Sequence, residues 1–214
     1  MIFMDKDEFL LKRIRELANL SYQRDIVTFT DFLNLNEQNM LATLKLRQMG
    51  VSVKLFGGYD HAERQMAAFY PGTVGFSWEY PIDCLKITPK ALRFSEELGH
   101  RDYLGAILNL GVDRSVVGDI LIKDKEAWVF CLHKMSDFFI DNLVRVRHTT
   151  VLVTRVEQAE EIPEPQFEAI SGTCASVRLD SLIGLAFQTS RSSMVSFIES
   201  GLVFVNGKLI TSNG

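Results

Sequence analysis

The spacing of apolar side chains changes period several times along this chain. From Asp5 to Leu20, Leu10, Ile14, Leu17 and Ala18 recur on one helical face, with Lys12, Arg13 and Arg15 elsewhere. In "TFTDFLNLNEQNMLATLKLRQMG", Asn36 stands where a helix cap would, Met40, Leu41 and Leu44 continue the turns, and Gly50 stops them. Residues 1–50 are therefore expected to be mostly helical. The period then falls to two: "VSVKLF" places Val51, Val53 and Leu55 on one side of a strand, and Gly57–Gly58 breaks it. Asp60 and Glu63 have capping-box spacing ahead of "HAERQMAAFY", which reads as a helix ended by Pro71–Gly72.

Downstream, "CLKIT" reads as a strand, and Pro89 is placed to open a helix over "ALRFSEELGHRDYLGAILNLG", with breaks at Gly99 or Gly105. "GDILIKDKEAWVFCL" predicts two strands around Asp124–Lys125, "HKMSDFFIDNLV" a helix with an internal start at Ser136, and "RVRHTTVLVTRV" a β-branched strand. The order β-α-β-α-β-β-α-β predicts one small α+β domain over residues 51–157. The last pattern is helical again. Leu179, Leu182, Ile183 and Ala186 share a face, and "QTS" interrupts them. Ser190 can cap a second helix striped by Met194, Phe197 and Ile198, and Gly201 stands just past its end. "LVFV", Asn206–Gly207 and "KLI" make a tight hairpin.

Composition refines this picture. With 214 residues, 47% hydrophobic and 23% charged, the chain can bury sizeable cores, and no apolar run approaches a membrane span. Its first residues lack the basic-then-apolar layout of a signal peptide. Three widely separated cysteines, Cys84, Cys131 and Cys174, argue against a disulfide framework, so a reducing cytoplasm is expected. Net charge is −4, but residues 158–177 hold four acids (Glu160, Glu161, Glu164, Glu168) and no base; without them 23 acids face 23 bases. That segment also holds Pro163 and Pro165 and reads as a linker. The acidic balance therefore does not exclude a nucleic-acid partner.

The terminal stretch "RLDSLIGLAFQTSRSSMVSFIESGLVFVNGKLI" resembles the alpha-L RNA-binding module named after small-subunit ribosomal protein four. The matching positions are Arg178, Leu179, Asp180, Ser190, Arg191, Gly201, Val203, Val205, Asn206, Gly207 and Lys208. A helix start that exposes N–H groups beside Arg191 suits a phosphate, and structured RNA is read largely through shape and backbone. Two departures from the family pattern stand out. Ser192, Ser193 and Met194 occupy positions where extra bases are usual, and the chain ends at Gly214, so a truncated, incomplete module is expected. With "FGGYDHAER" and "LGHRDYLGAILNLGVDRSVVGDI" ahead of that module, the whole chain is similar to the YlmH-like proteins of Gram-positive bacteria. This resemblance implies a helical N-terminal segment (1–50), a central RRM-like, ferredoxin-like α+β domain (51–157), an acidic linker (158–177) and a partial alpha-L module (178–214). It also implies a ribosome-associated RNA-binding protein, with rRNA or tRNA and the large subunit as partners, stalled subunits as a context and a link to cell division.

Other motifs fail on spacing. "HRDYLGAILN" invites a kinase reading, but Ile107 stands where the catalytic-loop Asn belongs, Asn109 is two positions too far, and no phosphate loop is present. Arg-Leu-Asp also occurs in pseudouridine synthases, where the Asp is a nucleophile; here Asp180 opens a small helix pair and is read as a helix-start residue. His61, His100, His133 and His148 are scattered and predict no metal site. No cofactor, small-molecule substrate, membrane or catalytic residue is expected. The candidate RNA contacts are Arg178, Ser190, Arg191, Asn206 and Lys208, followed by Arg145, Arg147, His100, Arg101 and Arg114. Arg145, Arg147 and Arg155 alternate in phase along one strand face, and Trp128 with Phe130 offer either a stacking platform or core. An RNA-modifying enzyme and a cell-division interaction module stay open as alternative classes.

Overall fold

The computed structural model describes residues 6–72, 77–158, 162–164, 168–174 and 176–212. The chain forms two compact units that divide between Pro165 and Gln166.

The first unit begins with helix α1 (Lys6–Arg24), strand β1 (Thr28–Leu33), helix α2 (Leu35–Thr43), and strands β2 (Val51–Phe56) and β3 (Gln65–Pro71). The three strands form an antiparallel sheet in the order β1-β3-β2. Ile14, Leu17 and Ala18 of α1 pack over Leu33, Val51, Ala67 and Phe69. The α1 residue Ser21 donates its hydroxyl to Phe69 O at 3.0 Å, tying the helix to the middle strand.

Three expectations change here. Residues up to 50 are mostly helical as expected, but they also contain β1, and the sheet that β1 joins runs past residue 50. "HAERQMAAFY" contributes β3 instead of a helix, because Met66, Ala67, Ala68 and Phe69 are all buried. A middle strand covered on both faces gives a continuous apolar run with no period of two to read. The cap of α2 is Asn34, not Asn36: Glu37 N–H donates to Asn34 Oδ1 at 3.0 Å, and Asn34 N–H donates to Glu37 Oε2 at 2.7 Å.

A second sheet holds β4 (Ile82–Pro89), β5 (Val117–Lys123), β6 (Glu126–Leu132), β7 (Arg145–Val146) and β8 (Thr149–Arg155). Its order is β5-β6-β4-β8-β7 and every pair is antiparallel. Helices α3 (His100–Leu108) and α4 (Ser136–Asn142) supply the crossovers, so β4-α3-β5-β6-α4-β8 is a ferredoxin-like, RRM-like unit with β7 as an added edge. Pro89 closes β4 and opens no helix; a short 3-10 turn at Leu92–Phe94 precedes α3. Leu85, Ile87, Ala127, Val129, Val151 and Val153 form the core with Tyr103, Ile107 and Phe139 of the two helices.

Phe130 and Leu132 belong to another cluster, where Phe32 of β1 and Met66 of β3 join the two sheets. Tyr59 stacks on Phe130 with ring centroids 4.9 Å apart. The Asp119 carboxylate accepts from Tyr59 OH at 2.9 Å and from the N–H groups of Glu63 and Arg64 at 2.7 and 3.0 Å. Asp60 and Glu63 thus lie in a loop held by Asp119, not at a helix start. A Cβ on Gly58, whose φ is +102°, would overlap the Phe130 ring, so this close approach requires glycine.

The second unit contains helices α5 (Leu179–Ala186) and α6 (Arg191–Glu199) and the hairpin β9 (Val203–Val205) and β10 (Lys208–Ile210). Gly201, at φ +70°, ends α6, and Asn206 and Gly207, at φ +50° and +76°, form the turn. Both central residues of that turn are left-handed, the requirement of the tight Asn-Gly hairpin. Met194 and Ile198 are the buried apolar residues of α6. The described parts of residues 158–177 carry neither helix nor strand.

Candidate nucleic-acid interface

Asp180 lies in the first turn of α5 with only 5% of its side chain exposed. Its carboxylate takes Arg178 Nε at 3.3 Å on one oxygen and Arg191 Nη2 at 3.2 Å on the other. Arg178 is the residue that precedes α5, and Arg191 is the first of α6. One buried carboxylate therefore sets the positions of two guanidiniums from different elements, while the arginine side chains stay 50% and 57% exposed. A guanidinium carries five N–H donors, so each retains donors for an outside acceptor.

The packing that brings Arg191 there depends on Gly184. A side chain at Gly184 would stand 3.1 Å from Thr189 O and 4.0 Å from Arg191 Cγ, and Thr189 N–H donates to Gly184 O at 2.9 Å. Ser190 caps α6, its Oγ accepting from Ser193 N–H at 3.2 Å. Ser190 Oγ also lies within hydrogen-bond distance of the Ser192 and Ser193 hydroxyls. Arg191 is both exposed and ion-paired. Reading Asp180 as a helix-start residue alone is incomplete. Asn206 and Lys208 lie exposed at the hairpin tip and the start of β10.

The candidates of the first unit divide into separate places. His100 and Arg101 are exposed at the start of α3. Asp102 there accepts from Gly99 N–H at 2.9 Å and pairs with Arg147 Nη1 at 3.5 Å. Glu96 takes Arg147 Nε at 3.9 Å and His148 Nδ1 at 2.9 Å. Arg147 and His148 form the turn between β7 and β8, Arg147 with φ +49°, so the expected single strand is a hairpin. Arg145 is exposed on β7. The three-arginine strand face does not form, because Arg147 is in the turn and Arg155 bonds Asp83 at 2.9 Å and Asp137 at 3.0 Å.

Arg114 is engaged inward. Its guanidinium donates to the carbonyls of Val117 and Gly118. Burial, reinforced by the neighbouring Arg64 charge, pushes its pKa down to about 10. Arg64 donates to Val117 O at 3.1 Å and Phe32 O at 2.9 Å, so Arg64 joins sheet to sheet while Arg114 braces the start of β5. The aromatic platform fails as well. Trp128 and Phe130 are 5% and 1% exposed, and Lys86 Nζ lies 5.1 Å over the Trp128 ring. Trp128 Nε1 is buried without a hydrogen-bond partner among the described residues.

The sequence reading missed the bridge at Asp180, because it depends on how α5 packs on α6. The one sequence signal was that Arg178, Asp180 and Arg191 all stood within a single recognised pattern.

Comparison with known proteins follows the same lines. The profile of a family described as a putative RNA-binding domain in YlmH matches residues 78–160. A Bacillus subtilis protein named ribosome-associated protein quality control protein P2 is 28% identical over 97% of this chain and 80% of its own length. A solved structure titled cell division protein ylmH, from Streptococcus pneumoniae, superposes with a TM-score of 0.60 at 23% identity. It covers 76% of this chain and 98% of that one, a likeness of fold.

Proposed function

We propose that this chain, a YlmH-like protein, is an RNA-binding protein that acts at the ribosome. The observation that carries this reading is the near full-length similarity to a ribosome-associated quality control protein, joined to a match to the family's RNA-binding domain over residues 78–160. The finer assignment is ours. rRNA or tRNA of the large subunit is the partner, the rescue of stalled subunits is the context, and the protein works in the cytoplasm by binding, without catalysis. Residues 178–212 act as the alpha-L module. Arg178, Arg191 and Lys208 contact the RNA backbone, Ser190 and Asn206 hold the loops that present them, and His100, Arg101, Arg145 and Arg147 form a second, weaker contact.

One fact supports this choice over an RNA-modifying enzyme. Asp180, the residue a pseudouridine-synthase reading would make the nucleophile, is buried and occupied by two guanidiniums.

Co-sedimentation of the full-length protein with ribosomes, repeated over a salt series, tests the reading. Contacts to about three phosphates give log K against log salt a slope of roughly −2 to −3. Absence of the protein from ribosomal fractions at low salt overturns it.

A further inference from the structure

Phe187 ends α5 with 74% of its surface in water, the most exposed aromatic residue among those described. Its backbone is nonetheless held firmly. Phe187 N–H bonds Ile183 O at 2.9 Å, and Gln188, left-handed at φ +51°, bonds Leu185 O at 3.3 Å. Thr189 then returns to Gly184. Gly184, the residue against which Arg191 packs, is three positions before Phe187, one turn of the same helix. Ring and guanidinium therefore spring from the two sides of one tied-down loop.

The surroundings indicate what the ring meets. Gln188, Thr189, Ser190 and Arg191 follow it, all exposed, all hydrogen-bonding and none acidic. A protein-docking surface would instead set the ring among other apolar groups. That is the condition of Phe204 and Leu209, which face each other across the hairpin. An exposed aromatic face in the same short loop as a cation and amide and hydroxyl donors matches the flat, polar-edged chemistry of an unpaired nucleobase attached to a phosphate.

Resting on the ribosomal RNA-binding reading above, we infer that Phe187 is a base-stacking residue. It holds an unpaired base of the RNA whose backbone Arg191 contacts. Stacking tolerates any base, because each has a π face, so this contact selects exposed, unpaired RNA and not a sequence.

The test compares wild type, Phe187→Ala, Phe187→Trp and Arg191→Gln in the full chain, binding to ribosomes and to deproteinised large-subunit rRNA over a salt series. Phe187→Ala is expected to weaken both interactions about 5- to 100-fold with the salt slope unchanged, whereas Arg191→Gln makes the slope shallower by about one. Phe187→Trp retains binding within a few fold, and stacking quenches the fluorescence of the new indole. Wild-type binding that Phe187→Ala leaves intact overturns the inference while the ribosomal reading stands. Loss on ribosomes but not on deproteinised rRNA also overturns it, since the ring would then meet a ribosomal protein. A wild type that binds neither removes both.

Discussion

Replacing Arg191 with Gln withdraws one of the two guanidiniums that hold the Asp180 carboxylate, the other staying at 3.3 Å. An intact hydrogen bond to a charged group contributes about 1.5–3 kcal/mol. Arg191 is more than half exposed, so solvent screening reduces this, and about 1 kcal/mol is expected for Arg191→Gln. Asp180→Asn weakens both arginine contacts of a buried group and should cost about 2 kcal/mol. Because the two residues touch, the double variant should be less unstable than the sum, by about 0.5–1.5 kcal/mol. Arg191→Glu is a poorer probe: it sets a second carboxylate against a buried one, so about 2–4 kcal/mol of destabilisation would confound any loss of binding. The assay is hydrogen exchange of α5 and α6 amides in the full chain, since two compact units need not unfold in one step. A double-mutant cycle that closes within about 0.3 kcal/mol would refute the coupling, and with it the idea that Asp180 positions Arg191.

Three further outcomes follow from the first unit. Asp119→Ala removes an acceptor of three hydrogen bonds between the loop before β3 and the second sheet; it should cost about 2–4 kcal/mol in urea unfolding, and a change under about 1 kcal/mol would mean the loop is held by Phe130 packing alone. Trp128→Phe deletes a buried N–H that has no partner among the described residues; the gain offsets lost contact area, so the melting temperature should move by only a few degrees, far less than for Trp128→Ala. Burial acts to raise the Asp83 pKa, but hydrogen bonds from Ser136 and His133 and the Arg155 charge outweigh it, and the carboxyl is held below its ordinary value. A depressed folded pKa gives stability that is complete above the unfolded value near about 4 and is lost as pH falls through the folded one. Asp83→Asn should therefore flatten the stability curve on that acid side, and unchanged steepness between pH 2 and 4 would refute it.

What the sequence made legible was local. Ser190, Gly201 and Asn206–Gly207 signal their roles through side-chain capping and left-handed backbone, and those depend on neighbours a few residues away. Asp124–Lys125 between β5 and β6 and Ser136 opening α4 were readable for the same reason. The strand β3 was hidden because Ala67 and Ala68 favour a helix in isolation, and only burial between α1 and the rest of the unit overrides them. The RRM-like order was reached through resemblance more than through spacing. The Arg155 ion pairs and the inward turn of Arg114 depend on contacts 18 or more residues away or on burial, neither of which leaves a periodic trace. The site was half visible: its arginines stood in a recognised pattern, but the carboxylate that joins them appears only when two helices meet.

The position of β4 in the middle of its sheet sets a timetable for synthesis. Its partners are β6 and β8, so the first strand of that sheet to leave the ribosome waits for residues up to 155 before both of its edges are filled. The sheet of β1, β2 and β3 needs nothing beyond residue 71. At about 5–20 residues per second, the nascent chain therefore spends several seconds with one sheet closed and at least one edge of the other's central strand open. Over that interval Phe32 and Met66, already placed by the finished sheet, offer an apolar surface on which Phe130 can later settle.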